Sequence, residues 1–112
     1  MAPGAPTSND PALLILTSLS SGPKHGYALT KDIEAFAGAQ LGPGTLYGAL
    51  TRLEDRGLIE PLEAQDRRRP YRITAEGATV LATTLADLRR ILDEGDMRLA
   101  GSHTRLVGRS AT

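Results

Sequence analysis

Three consecutive arginines, Arg67, Arg68 and Arg69, form the densest group of charged side chains in the sequence. A guanidinium group is planar, stays charged at physiological pH and donates paired hydrogen bonds to phosphates or to the edge of guanine. With Arg72, the segment carries four basic residues and no acidic one, although the 13 basic and 13 acidic residues of the whole chain cancel. A basic run is often only a solvated surface, so its chemistry depends on the element that carries it.

A second group with binding chemistry follows the Gly42-Pro43 pair. Proline fits the first position of a helix, and the free N–H groups at a helix start attract phosphate. Behind this start come a position without a side chain, two threonines, a tyrosine and an arginine, which are types that bind phosphates and base edges. These residues are Gly44, Thr45, Tyr47, Thr51 and Arg52. Two alternatives stay open, a salt bridge to Asp55 for Arg52 and core packing for the ring of Tyr47.

The composition argues against several other kinds of chemistry. The 112 residues include no cysteine and only two histidines, His25 and His103, which lie far apart in the sequence. We therefore expect no disulfide, no metal site and no cysteine nucleophile. The sequence has no Walker-type phosphate loop and no dinucleotide-binding glycine pattern, and we predict neither an enzyme nor a bound cofactor. The longest apolar run has five residues, and no apolar leader precedes it, which predicts a cytoplasmic protein without a membrane partner.

The elements that must position these groups follow from hydrophobic spacing and from the residues that start and stop helices. Three helices are predicted over residues 11–19, 25–37 and 43–56, each with apolar residues three or four positions apart. On the second helix, Ile33 and Phe36 continue the apolar face. Turn-forming glycines and prolines separate the three helices.

Two short strands are predicted after the third helix, over residues 58–63 and 71–74. Pro61 has no amide proton to donate, so the first strand is expected at the edge of a sheet. The polar residues between the strands form a β-hairpin connection, and the arginine run lies at its tip.

The last predicted helix begins at Thr74, whose hydroxyl can cap it, and carries leucines at the spacing of a heptad repeat. Gly95 occupies one position of this repeat, where the helix could end or bend. The stripe is long for a domain of this size, and we predict that it forms a homodimer interface. Its members are Leu81, Leu85, Leu88, Leu92 and Leu99.

The order helix, helix, helix, hairpin, helix is that of a winged helix-turn-helix. We therefore predict a mostly α protein with a small β-hairpin and a C-terminal dimerisation helix. The expected organisation is a flexible arm over residues 1–10, a DNA-binding domain over 11–75, the dimerisation helix over 76–100 and a flexible tail over 101–112. In such a fold the third helix lies in the DNA major groove, and we expect the hairpin tip beside the minor groove.

From about Leu13 to Leu92 the sequence resembles the PadR family of bacterial transcriptional regulators. The stretches that carry the resemblance, in this order, are Leu14-Ile15-Leu16 with Leu19, His25-Gly26-Tyr27, Gly44-Thr45-Leu46-Tyr47, Leu50 to Glu54, Gly57-Leu58-Ile59, and Arg67 to Thr74 ahead of Glu76-Gly77. The resemblance implies a dimer whose last helix packs on the partner, and it assigns Tyr27 to a DNA phosphate. Two features depart from the family: Gly48 stands where many relatives have proline, and no tryptophan is present to stack on an aromatic drug.

Fold and resemblance together predict a regulator, most simply a repressor, that binds a near-palindromic site in double-stranded DNA. The wing arginines are expected to enter an A·T-rich minor groove or to bind phosphates, and Lys31 to bind a phosphate. The resemblance further implies an unidentified small-molecule effector that binds between the subunits and relieves repression. The alternatives are a winged-helix module that binds protein instead of DNA, another family of winged-helix regulators, and, with no motif to support it, an enzyme.

Overall fold

The computed structural model describes residues 10–111, with side chains described through residue 102. The elements of this part of the chain are the helices α1 Pro11–Leu19, α2 Gly26–Ala37, α3 Pro43–Asp55 and α4 Ala75–Ala111, with the strands β1 Ile59–Pro61 and β2 Tyr71–Ile73 between α3 and α4. The predicted winged helix-turn-helix order is confirmed. The chain forms two compact units, the first ending at Leu81 and the second beginning at Ala82.

Side-chain caps set the starts of the first two helices. The Asp10 carboxylate accepts a hydrogen bond from the Ala12 N–H at 3.0 Å, as a helix start requires. His25, predicted as the first residue of α2, instead precedes it, because its backbone is extended and its Nδ1 accepts from the Ala28 N–H at 3.3 Å. Gly38 ends α2 in the left-handed conformation, with φ of 67°.

The core of the first unit lies where α1 packs against α2 and α3. Ile15, Leu29 and Leu50 are completely or almost completely buried, and burying each such side chain contributes about 1.5–3 kcal/mol. The apolar face predicted for α2 ends one turn early. Ile33 is fully buried, whereas Phe36 in the last turn is 48% exposed, so the core does not extend to the end of the helix.

The strands β1 and β2 form an antiparallel hairpin in which Ile59 faces Ile73 and Pro61 faces Tyr71. The segment before α2 adds a backbone bridge that the sequence did not predict. The Lys24 N–H donates to the Tyr71 carbonyl at 3.2 Å, and the Tyr71 N–H donates to the Lys24 carbonyl at 2.9 Å. The hairpin is therefore tied along its second strand to the loop between α1 and α2.

The beginning of α4 is fastened closely to the turn between α3 and β1. The Thr74 hydroxyl accepts from the Gly77 N–H at 3.0 Å and donates to the Gly57 carbonyl at 2.7 Å, which confirms the predicted cap. A Cβ atom added at Gly77 would collide with the Leu58 carbonyl oxygen. Glycine at position 77 is therefore required by close backbone approach.

The second unit is the rest of α4, whose backbone is helical through Gly95 and on to Ala111. The helix is thus longer than predicted, and the backbone of residues 101–111 is helical where a tail was expected. No proline interrupts this stretch, and an interior glycine costs only about 1 kcal/mol relative to alanine. The predicted arm, except for Asp10, lies outside the described residues. Across the described helices, none carries an apolar stretch long enough to cross a membrane.

Candidate nucleic-acid interface

Helix α3 has one buried and one exposed side. Leu46, Ala49, Leu50 and Leu53 are buried and hold the helix in the first unit. The five predicted contact residues are all exposed: Gly44, Thr45, Tyr47, Thr51 and Arg52. The Thr51 hydroxyl donates to the Tyr47 carbonyl at 2.9 Å, which leaves its oxygen lone pairs and methyl group for an external partner.

The start of α3 is open to an anion. Its N-cap, Gly42, provides no side-chain hydrogen bond, and Pro43 has no N–H. Within the described part of the chain, the N–H groups of Gly44 and Thr45 have no acceptor. A Cβ atom at Gly44 would meet nothing within 4 Å, so internal packing does not explain the missing side chain there.

Arg52 has no salt bridge to Asp55, the alternative considered for it, and no ion pair with any other described residue. Its Nη1 lies 3.5 Å from where a Cβ atom of Gly48 would stand. The side chain therefore lies back along α3 toward the helix start, as helical side chains tilt. Because 3.5 Å is an ordinary contact distance, packing against this guanidinium does not require glycine at position 48.

A cleft of about 320 Å³ opens between the start of α2, helix α3 and the wing. All three tyrosines of the chain line it, together with the three consecutive arginines. At its floor a Cβ atom added to Gly26 would collide with the Tyr47 hydroxyl oxygen. Glycine at position 26 thus lets the ring of Tyr47 lie against α2, although this side chain remains 52% exposed. Packing and external contact are both open to Tyr47.

The side chains in and beside the cleft differ in charge, in exposure and in the partners they already have. Partial burial raises the pKa of Tyr71, and the Glu54 carboxylate and Tyr47 raise it further, against a smaller lowering by Arg69. Tyr71 therefore remains a neutral phenol at physiological pH. Tyr27 is 63% exposed, with the Lys31 ammonium 5.7 Å from its ring centre. Lys31 also lies 3.9 Å from the Glu34 carboxylate, which partly neutralises it.

The wing ends in a tight two-residue turn. The N–H of Gln65 donates to the Arg68 carbonyl at 2.7 Å, and the N–H of Arg68 donates back at 2.8 Å. Between them Asp66 and Arg67 have φ angles of 50° and 68°, which are the angles of a type I′ turn. The Arg69 Nη1 donates to the Leu62 carbonyl at 2.9 Å and so braces the hairpin.

The structure brings some of the predicted residues together and separates others. Tyr27 and Tyr47 share the cleft with the arginine run, whereas Arg52 and its neighbours on α3 do not line it. The sequence does not predict that the three tyrosines lie together, because no spacing indicates which segments are neighbours after folding. Only the winged-helix order places the start of α2, helix α3 and the hairpin side by side.

The leucine stripe divides at the end of the first unit. Leu81 is 6% exposed within that unit, so little of its side chain is available to a partner. In the second unit Leu85 and Leu88 are half-buried, while Leu92 and Leu99 are 62% and 70% exposed. Ile91, which was not predicted as part of the stripe, is also exposed.

The part of the chain that is similar to a known family ends close to the boundary between the two units. The model of the transcriptional regulator PadR-like family matches residues 15–83. The chain is 44% identical over 84 residues to an uncharacterized 37.1 kDa protein in transposon TN4556 of Streptomyces fradiae, covering 75% of this chain and 24% of the relative. It is 35% identical over 71 residues to the transcriptional activator GvpE2 of Halobacterium salinarum, covering 63% of this chain and 36% of the relative. The chain thus spans about a quarter and about a third of these relatives.

A solved structure has the same fold. The PadR family transcription regulator of Clostridium difficile superposes with a TM-score of 0.72 at 26% identity, covering 80% of this chain and 97% of that one. The similarity therefore includes the helices and the hairpin that carry the exposed groups described above.

Proposed function

The chain belongs to the PadR-like family of transcriptional regulators, and from this premise we propose that it binds double-stranded DNA sequence-specifically as a homodimer. The observation that carries the proposal is the concentration of unpartnered binding groups on α3 and the wing. The N–H groups of Gly44 and Thr45, and the guanidinium groups of Arg52, Arg67 and Arg68, have no partner within the described residues. Groups of this kind on one winged-helix domain fit a polyanion.

Helix α3 would read the major groove. Its open start would approach a phosphate, since free N–H groups and the helix dipole both favour an anion there. Arg52 would pair with the O6 and N7 atoms of guanine, the commonest specific arginine contact. Thr45 and Thr51 would contact phosphates or a thymine methyl.

The tyrosine and arginine cleft would hold the DNA backbone beside that groove. The phenols of Tyr27 and Tyr47 are exposed donors, and Arg68 lines the same cleft without an internal partner. Lys31 would add a weaker contact, because Glu34 already lies close to it. Phosphate contacts fix the register of the protein on DNA, while the base contacts of α3 distinguish sequences.

The exposed apolar side chains of α4 support a dimer. Leu92, Leu99 and Ile91 are each more than half exposed in the single chain, and their burial against a second copy would be favourable. A two-fold dimer would present two α3 helices about 34 Å apart, one turn of DNA, and would require a near-palindromic site.

Selection of duplexes from a random pool at about 0.15 M salt tests the proposal. We expect a motif of two inverted half-sites, and Arg52→Ala should lose about 1–3 kcal/mol of discrimination at one base pair of each half-site. Arg90→Ala, which removes an exposed arginine of α4 that pairs with Asp87, is the matched control and should bind normally. A wild-type protein that enriches no motif would contradict DNA binding and favour the protein-interaction module.

We further propose that the bound dimer represses transcription in the cytoplasm by covering a promoter, and that a small effector between the subunits relieves it. A reporter gene behind the selected motif should be expressed less when the protein is present. The relative GvpE2 is described as an activator, so increased expression is the specific outcome that would overturn repression. Relief of repression by an effector predicts that adding an extract of small metabolites lowers the affinity of the protein for the motif. An unchanged affinity would argue against such an effector.

A further inference from the structure

We propose that Arg67 is the residue by which the wing distinguishes DNA sequences, and that Arg68 and Arg69 act without distinguishing them. The inference rests on the proposed DNA binding and concerns how the three arginines divide that work. The three arginines differ in backbone conformation and in hydrogen bonding at the wing tip.

Arg69 is a positioning residue of the hairpin. Its guanidinium donates to the Leu62 carbonyl across the wing at 2.9 Å, a bond that inserting the side chain into a groove would break. Its positive charge also lowers the pKa of the Tyr71 phenol, against the larger effects that raise it. Its contribution to DNA binding is therefore to hold the wing closed and to add charge.

Arg68 leaves the wing from the strand side of the turn. Its backbone N–H and carbonyl are both bonded to Gln65. Its side chain lines both clefts beside the hairpin, whereas Arg67 and Arg69 line only the cleft that holds the tyrosines. A guanidinium at the flank of the wing lies at the level of the DNA backbone, where phosphates are equally spaced whatever the sequence. Arg68 is thus suited to binding a phosphate.

Arg67 stands at the apex in a conformation that the turn itself does not favour for arginine. Positions with φ of 50° and 68° are preferred by glycine and asparagine, so Asn-Gly would form this turn with less strain than Asp66-Arg67. Arginine at position 67 therefore does not serve the turn. Its side chain has no hydrogen-bond or ion-pair partner among the described residues, and the apex is the part of a wing that reaches deepest into a groove.

An arginine at this point responds to groove width. A·T tracts narrow the minor groove and deepen its negative potential, and arginine enters such grooves more readily than lysine because its guanidinium is more weakly hydrated. Asp66, its neighbour on the apex, carries the opposite charge and limits attraction to DNA in general. The pair should therefore favour narrow grooves over wide ones more than it raises total affinity.

The test uses two duplexes that share the selected half-sites and differ only where the wing would reach, one with an A-tract and one with G·C pairs. We expect wild type to prefer the A-tract roughly tenfold, and Arg67→Lys to lose most of this preference while keeping the dependence of affinity on salt, since its charge is unchanged. Arg68→Lys is the matched control and should keep the preference. Arg67→Gly should also lose it and melt at a higher temperature.

The outcomes separate this inference from the one on which it rests. If Arg67→Lys prefers the A-tract as strongly as wild type, or if Arg68→Lys is the variant that loses the preference, the assignment to Arg67 is wrong although DNA binding stands. If wild type binds neither duplex above a random one, the proposed function itself has failed.

Discussion

At the scale of single residues, the exposed face of α3 combines side chains that can bind with positions that have no side chain. Gly44 and Gly48 leave the backbone bare on either side of Tyr47, and a Cβ atom would fit at both positions without collision. Glycine is a poor helix former, so these positions lower the stability of α3 without any packing reason within the chain. Close approach of DNA, as proposed above, would account for both glycines.

Gly44→Ala should therefore separate stability from binding. We expect the melting temperature to stay the same or to rise by a few degrees, because alanine is favoured by about 1 kcal/mol in a helix. Affinity for the selected duplex should fall at least tenfold, because the methyl group would stand where a phosphate approaches. Thermal melting and a binding titration on the same preparation measure the two effects.

Gly101→Ala provides the comparison, since Gly101 is also helical with open space around its Cα atom. It should raise the melting temperature without changing affinity. A Gly44→Ala protein that binds as tightly as wild type would rule out close backbone approach at the start of α3.

The candidate binding residues can be picked out in the sequence by their types, but their grouping in space cannot. Arg67 to Arg69 and the residues of α3 are recognisable because guanidinium and hydroxyl groups at turns and helix starts have definite chemistry. The contact of Tyr47 with Gly26 joins two helices, and the inward bond of Arg69 depends on the exact path of the hairpin. Both are set by tertiary packing, which local spacing does not encode.

At the scale of elements, the joint between α3, β1 and α4 holds the wing in place. The Thr74 hydroxyl bonds to both the α3–β1 turn and the first turn of α4, and Gly77 lies directly against the Leu58 backbone. The end of α3 and the start of α4 are predictable from the sequence, because Gly57 is a strong signal for the end of a helix and Thr74 for the start of one. The Lys24 bridge to β2 was missed because a single paired residue has no periodicity.

Gly77→Ala should destabilise the protein by roughly 2–4 kcal/mol, since the added methyl group meets a backbone carbonyl that cannot rotate away. Urea denaturation measures this loss as a lower midpoint. The same exchange at Gly101 should not lower the midpoint, so the effect is not a property of glycine replacement in general. A Gly77→Ala midpoint equal to that of wild type would mean that α4 can shift away from Leu58 at no cost.

At the scale of the whole molecule, the length of α4 is what most exceeded the prediction. The sequence after Leu99 is rich in glycine, serine, threonine and arginine, which predicts a tail, yet no proline stops the helix. The second unit therefore carries its exposed leucines on one continuous element. Within the described residues, Leu85 and Leu88 of its apolar stripe are half-buried, while Leu92 and Leu99 are more than half exposed.

Leu92→Glu should weaken self-association by at least tenfold, because a carboxylate would be buried among apolar side chains of the proposed interface. Sedimentation equilibrium at micromolar concentration measures the change, and binding to the two-half-site duplex should weaken in parallel. Met97→Glu is matched to it, since Met97 is equally exposed but lies on the other side of the helix from the stripe. A Leu92→Glu protein with the dissociation constant of wild type would place the interface elsewhere.

The turn at Asp66 and Arg67 affects how the sequence of such a regulator can change during evolution. Most substitutions cost some stability, which restricts the paths open to mutation. At this apex the replacements most compatible with the backbone, glycine and asparagine, are also those that abolish or alter a contact. Under the proposed function, recognition by the wing can therefore be altered or lost through single substitutions that folding favours, whereas regaining arginine at position 67 costs stability.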